Sequence, residues 1–447
     1  MFEMGDTFLS ELGVIPVTWQ VKRFDSLFSV QQGKQVSKSN RIGGNQRIFL
    51  RTKNVFWGRL DLTNLDAMHF TESEEKRLSL EPGDLLICEG GDIGRTAIWQ
   101  GELARCYYQN HIHRARLRDE SGDSRFVLYW LWYAFEVASI YFGRGNVTTI
   151  PNLSQSKLCE LPLPLPPLLE QRKIAAVLGG VQRAIEQQER LIHLTKELKQ
   201  ALLHQLFTQG LYGEPKKETE IGPVPESWEV TTLENVALSF DYGTSVKCEH
   251  GKVGSPVLRI PNVVGGSIDL GDIKHGQPKR TEVEALRLRD GDLLFVRTNG
   301  VLENAGRCAL YRGELEGCYF ASYLIRVRVD CSKVLPAFVN AYSRTEQGRN
   351  FLCGRAIRTA DGKFNINSGT LKRVLLPLPT LYEQKEVVHQ LALVEWKLKL
   401  HESKRSAFND LFRTLMHQLM TAQIRVHDFD LPEITTMTTI YGIEPRQ

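Results

Sequence analysis

No run of apolar residues in the chain approaches 18, so no segment is expected to span a membrane. The opening residues MFEMGDTFLSELG carry acids and no basic stretch ahead of an apolar one, which excludes the pattern of a secretory signal. Eight cysteines (Cys88, Cys106, Cys159, Cys248, Cys308, Cys318, Cys331, Cys353) include no C-x-x-C pair. Scattered through so long a chain, they are expected to be buried free thiols of a reducing cytoplasm and not a disulfide framework. Nor does one sign of charge dominate: 56 Lys+Arg against 52 Asp+Glu leaves +4. That balance does not identify a polyanionic partner, but it permits one where positive charge clusters locally.

The signatures of several chemistries are also missing. There is no G-x-x-x-x-G-K-[ST] phosphate loop. There is no Asn/Asp-Pro-Pro-aromatic segment of the amino-methyltransferase kind, because Pro166-Pro167 lies between Leu165 and Leu168. Gly90-Gly91-Asp92-Ile93-Gly94 lacks the G-x-G-x-x-G spacing of a dinucleotide site. His111 and His113 alternate on an expected strand, yet no Cys or carboxylate stands nearby at ligand spacing. The expectation is a chain with no catalytic residues, no metal and no cofactor of its own.

What is present is a repeat, over 447 residues that suggest two to four domains. With 42% hydrophobic and 24% charged residues, the chain can fill more than one core and is not disordered as a whole. LPLPPLLEQ (163–171) and LPLPTLYEQ (376–384) share seven of nine residues at an offset of 213. LLHQLFTQ (202–209) matches LMHQLMTA (415–422), and ELGVIPVTW (11–19) matches EIGPVPESW (220–228). LRTKNVFWGRLDL (50–62) matches LRIPNVVGGSIDL (258–270), GDLL recurs at 83–86 and 291–294, and GRTAIWQGE (94–102) matches GRCALYRGE (306–314). Collinear blocks whose offset drifts only from 208 to 213 indicate an ancient duplication with short loop insertions.

Each copy begins with short apolar runs broken by Gly, Asp, Asn and Pro, which read as strands and turns. Gly83-Asp84 and Gly291-Asp292 are expected to form the turn before a buried strand, and Trp19 and Trp228 to anchor the cores. A long helix then follows a Pro-x-Pro lead-in, with an acid (Glu170, Glu383) in its first turn. Leu178, Val181, Ile185, Gln188, Ile192, Thr195, Lys199, Leu202 and Leu206 advance by threes and fours. So do Leu391, Val394, Leu398, His401, Arg405, Phe408, Phe412, Leu415, Leu419 and Ala422. Both seams are apolar at the ends and polar centrally, the 3.5-residue period of a coiled coil. Roughly 40 residues make a rod of about 60 Å. A seam shared by two antiparallel helices explains the pattern better than each helix packing on its own domain. The two domains would then lie at opposite ends of the rod, related by a pseudo-two-fold axis. The fold class expected is α+β, with two mixed α/β domains separated by two long antiparallel coiled-coil helices.

Two diverged domains held apart in this way suit duplex DNA, whose half-sites are separated and oppositely oriented. Local charge agrees. Arg344, Arg349, Arg355, Arg358, Lys363, Lys372 and Arg373 face only Glu346 and Asp361 within 344–373, and Arg41, Arg47, Arg51, Lys53 and Arg59 meet no acid within 41–59. Arg105, Arg114, Arg116 and Arg118 cluster near His111 and His113. Arg and Lys neutralise phosphates, while Arg and Asn read base edges. The candidates for DNA contact are Arg51, Lys53, Asn54, Arg144 and Asn146 in the first copy. In the second they are Arg259, Asn262, Arg297, Asn299, Arg355, Arg358 and Lys363. The matched pairs Arg51/Arg259 and Asn54/Asn262 point to phosphate contact or structure, because residues that read sequence should differ between half-sites. Arg358 and Lys363, present in one copy, are better specificity candidates.

LPLPPLLEQRKIA (163–175) and LPLPTLYEQKEVV (376–388), each opening a long helix, resemble the conserved regions of type I restriction-modification specificity subunits. KETEIGPVPESWEV (217–230) and GDLLFVRTNG (291–300) resemble the same family, and the likeness covers nearly the whole chain in the family's order. It implies a first target recognition domain over 1–162 and a conserved helical region over 163–212. A second recognition domain over 213–375, a second helical region over 376–425 and a tail over 426–447 would follow. It also implies a non-catalytic, cytoplasmic subunit that binds double-stranded DNA at a bipartite asymmetric site. Two methyltransferase subunits and restriction/translocase subunits would be its partners, and the AdoMet, ATP and Mg²⁺ of the complex would belong to them. The alternatives are a specificity subunit of a methylation-only or phage-exclusion system and, in a different class, an autonomous DNA-modifying enzyme with two DNA-binding modules.

Overall fold

The computed structural model describes residues 7–10, 12–142, 152–251 and 253–426. The chain divides into two compact units, residues 1–189 with 403–447 and residues 190–402. Both divisions fall inside long helices, Leu168–Gln209 with 42 residues and Leu381–Met420 with 40. Each unit therefore contains one sequence repeat, half of the helix that follows it and half of the other helix.

The units repeat one topology. In the first, an antiparallel sheet runs Thr96–Ile98, Leu85–Cys88, Ile112–Leu117, Phe28–Gln32; in the second, Cys308–Leu310, Leu293–Val296, Leu324–Val329, Ala237–Tyr242 occupy the same order. The register repeats as well, since Leu85 faces Ala115 as Leu293 faces Val327. A smaller sheet repeats beside each, with Tyr107–Tyr108 parallel to Gln46–Leu50 and Tyr319–Phe320 parallel to Ser255–Leu258. Gly33 and Gly243 mark where the last sheet strand passes the chain ahead of the central strand. A Cβ at either would strike backbone carbonyls, of Tyr108 and Gln109 or of Phe320 and Ala321, so glycine is required at both.

The fully apolar strands Leu85–Cys88 and Leu293–Val296 run through the middle of each sheet. One side chain of each alternating pair faces the main core and the other a second core beneath the smaller sheet. Asp84 and Asp292 do more than turn the chain into them. Asp84 is buried and accepts from Arg116 Nε and Nη2, both at 2.7 Å, and Asp292 accepts from Arg328 Nε at 2.7 Å and Nη2 at 3.0 Å. Trp19 and Trp228 are buried anchors, as expected, edge-on to Phe126 and to Phe207. The Pro-x-Pro segments are strands. Pro162–Leu165 pairs with Gln20–Arg23 and Leu375–Leu378 with Glu229–Thr232, in two-stranded ribbons that tolerate a missing N–H.

The glutamines beside the first-turn acids are structural residues that sequence patterning did not single out as such. Gln171 is buried, accepts from Asp123 N at 2.9 Å and donates to Pro166 O at 2.8 Å. Gln384 accepts from Leu335 N and donates to Pro379 O and Lys333 O. Each lashes a helix start to the domain preceding it.

In the first unit, the N-terminal half of the first long helix (Ile174, Ala175, Leu178) shares a core with Phe412, Met416 and Leu419 from the C-terminal half of the second. In the second unit, Leu203, Leu206 and Phe207 share a core with Val387 and Leu391. The helices are antiparallel, and every residue of the two seams is buried or half-buried. The two packing modes weighed from sequence coexist, because the helices also clamp the domains. Phe412 lies edge-on to Tyr129 and His417 meets Tyr133 Oη at 3.1 Å, while Phe207 packs on Phe338 and Tyr342. Lys199, one of the polar seam residues, pairs with Glu395 at 3.0 Å, and Arg344 joins them at 2.6 Å.

All eight cysteines are free. Burial pushes the Cys88 thiol up to about 11 and those of Cys106, Cys308 and Cys318 to about 12. Cys331 departs from the expectation and is exposed. No helix among the described residues is long and apolar enough to cross a membrane.

Candidate nucleic-acid interface

The second unit gathers five of the sequence candidates. After Val296 the chain does not turn back at once as it does in the first unit. A four-residue insertion forms the strand Thr298–Asn299, which pairs with Phe364–Asn365, which in turn pairs with Ile357–Arg358. The connecting turn closes through Thr359 N to Lys363 O at 2.7 Å, with Gly362 at φ +80° where other residues are strained. Arg297, Asn299, Arg355, Arg358 and Lys363 therefore sit on one small sheet and its margins.

Their states differ. Arg358 is exposed, and Arg355 is exposed with its guanidinium 4.1 Å above the Phe351 ring. Lys363 is exposed and paired with Asp361 at 2.8 Å; hydrogen bonds from Lys363 and Thr359 hold the Asp361 carboxyl at about 2. Asn299 Oδ1 accepts from Val301 N at 3.0 Å and shapes the loop. Arg297 is half-buried, lies 5.1 Å over the Tyr242 ring, and makes one long hydrogen bond to Ser322 O at 3.4 Å. It forms no ion pair among the described residues. Tyr323 beside it is exposed. Asn365 Oδ1 is buried without a hydrogen-bond partner among the described residues.

Asn54 and Asn262 are framework residues, with amides bonded inside their turns and not available to read bases. Both are buried. Oδ1 of Asn54 accepts from Arg51 N at 2.9 Å while its amide donates to Asp61 O and Asn64 O. Asn262 repeats this with Arg259 N, Asp269 O and Asp272 O. Arg51 and Arg259 stand on the same turns, paired with Asp66 at 2.8 Å and Asp272 at 2.6 Å. The asparagines of the matched pairs are taken up by the fold, while Arg51 and Arg259 remain partly exposed. Lys53 is exposed between them. Arg144 and Asn146 lie outside the described residues.

The arginine cluster near His111 is mostly structural too. Arg114 is buried and donates to Arg77 O and Ser79 O, and Arg116 holds Asp84. His113 is buried against Leu153 O at 3.0 Å, and burial lowers its pKa, favouring the neutral ring. His111 instead sits in the turn before the strand, exposed, 3.5 Å from Glu89. The two imidazoles do not share a ligand face. Within the basic run 344–373, Arg344 is committed to Glu395 and Lys372 to Glu234.

These features define a class: a duplicated mixed α/β protein whose two units each combine the same sheet framework with halves of two antiparallel helices. A family profile described as "Type I restriction modification DNA specificity domain" matches residues 16–196. The Escherichia coli (strain K12) type I restriction enzyme EcoKI specificity subunit is 26% identical over 442 residues, covering 94% of this chain and 93% of that protein. The Methanocaldococcus jannaschii MjaVIII specificity subunit is 22% identical over 431 residues, covering 93% and 95%. A crystal structure of the S subunit of a type I restriction-modification system from M. genitalium shares the fold. Its TM-score is 0.55 at 16% identity, over 90% of this chain and 96% of that one. Residues 16–196 match the type I restriction modification DNA specificity domain, and the chain is similar over nearly its whole length to type I restriction enzyme specificity subunits. The profile match covers the first copy, and the repeated topology extends the same fold to the second.

Proposed function

We propose that the chain is the DNA-recognition subunit of a type I restriction-modification complex, with each unit reading one half of a bipartite, asymmetric site. The observation that carries this reading is the repetition of one sheet framework in two units whose exposed polar edges differ. Duplication supplies the two half-sites, and divergence makes their sequences unlike. The basic margin of the second unit (Arg355, Arg358, Lys363) is suited to phosphate contact, which positions a protein on the duplex without reading sequence. The chain acts without catalytic residues of its own. Methyltransferase subunits would supply AdoMet-dependent modification of adenine N6, and restriction subunits would supply ATP- and Mg²⁺-dependent translocation and cleavage.

Single-molecule methylome sequencing of cells carrying the intact operon, with and without this chain, tests the reading. A bipartite N6-methyladenine motif that disappears on deletion is expected. A methylome indifferent to the deletion would refute it.

A further inference from the structure

The hydrogen-bond pattern aligns the two units residue by residue at one end of the main sheet's strands. Glu89 N donates to His111 O and Glu89 O accepts from Leu153 N; Arg297 N donates to Tyr323 O and Arg297 O accepts from Ile366 N. Asn110 N reaches Lys34 O as Ser322 N reaches Thr244 O. Gln32 faces His113 across the sheet as Tyr242 faces Ile325. Four equivalent positions follow: Gln32/Tyr242, Glu89/Arg297, Asn110/Ser322 and His111/Tyr323. All four differ between the copies.

Around them the framework is the same in both. Gly33/Gly243, Asp84/Asp292, Arg116/Arg328 and Asn152/Asn365 are identical pairs, and the first three do structural work already described. These four differences fall where the backbone hydrogen bonding of the two units is equivalent. At its centre, a carboxylate in one unit is replaced by a guanidinium in the other.

Neither group is used up by the fold. The framework carboxylates hold arginine at 2.7 Å, whereas Glu89 Oε2 has, among the described residues, only Gln32 Nε2 at 3.4 Å and His111 Nδ1 at 3.5 Å. These are long, weak contacts. Arg297 has one hydrogen bond at 3.4 Å and a ring beneath it, which orders the guanidinium while leaving most of its donors open. A preorganised fork of donors matches guanine O6 and N7, and an ordered carboxylate accepts from the cytosine amino group.

Resting on the proposed DNA-recognition role, we infer that Glu89 and Arg297 are equivalent specificity-determining residues of the two half-sites, Glu89 reading a cytosine amino group and Arg297 a guanine edge. Gln32 and His111 orient the first, and the Tyr242 ring the second.

The test is the methylome of cells whose operon encodes Glu89→Gln or Arg297→Gln in the full chain. E89Q should relax one base position in one half-site by about tenfold, and R297Q one position in the other half-site, with spacer and remaining positions unchanged. Both variants returning the wild-type motif, or either altering both half-sites, would overturn the assignment. Where a variant abolishes methylation, selection of randomised duplex DNA by the purified full-length variant reads the same position, and an unaltered preference there also overturns it. A wild-type operon without any bipartite motif dependent on this chain would instead refute the recognition role itself.

Discussion

At the scale of single residues, charge alone did not separate framework from interface. Arg51, Arg116 and Arg297 are indistinguishable by type, yet two are spent on carboxylates inside the domain and one is not. The buried aspartates are the clearest case of a framework role. Removing one partner of a buried pair strands the other charge, which typically costs several kcal/mol. Asp292→Ala should therefore destabilise the second unit by about 3 kcal/mol, at the lower end because Arg328 is partly solvated. It would show as a lowered urea midpoint for that unit, with Asp84→Ala doing the same to the first. An unchanged midpoint would contradict the anchoring role. Glu89, Gln32, Tyr242 and Tyr323 were missed by sequence reading because none belongs to a basic cluster. One signal existed: aligning GDLLICE with GDLLFVR sets Glu89 opposite Arg297.

At the scale of elements, the two long helices were legible because a 3.5-residue apolar period needs only local spacing. Their cross-links were not. In the second unit Glu395 receives Lys199 from the facing helix and Arg344 from the domain. Burial alone would raise its carboxyl, but the two cations outweigh burial and hold it below the ordinary value. A depressed folded value means the contribution is complete above the unfolded carboxylate range and is lost as pH falls through the folded value. The protection factors of amides in residues 190–209 should thus fall on acidification below the unfolded carboxylate range, and Glu395→Gln should flatten that dependence. Equal acid sensitivity in the variant would show that the triad does not tie the helices. The small sheet at Thr298–Asn299 was equally hidden. It requires pairing between residues more than 50 positions apart, which a two-residue strand does not announce.

At the scale of the whole molecule, duplication governs both fold and function. If the paired helices set the distance between half-sites, lengthening both should lengthen the spacer. Seven residues added to each, near Glu189 and Glu402, keep the seam in register and add about 10 Å. That corresponds to roughly three base pairs. The methylome of such a strain should show both half-sites unchanged and the gap longer by about that amount. An unchanged gap with full methylation would sink the ruler.

By itself the sequence determined that the chain is two copies of one plan, each followed by a long helix, because repeats and periodicity survive without three-dimensional context. It also favoured duplex DNA as the partner, through two diverged domains held apart and local clusters of basic residues. Tertiary structure alone decided which polar residues remain free. Asn54 and Asn262 disappear into turns, Arg114 into the interior, and Glu89 and Arg297 emerge at equivalent ends of central strands. The physical reason is that a polar side chain's availability depends on partners brought from distant segments. A sequence records that side chain's chemistry, and only the fold records what already satisfies it.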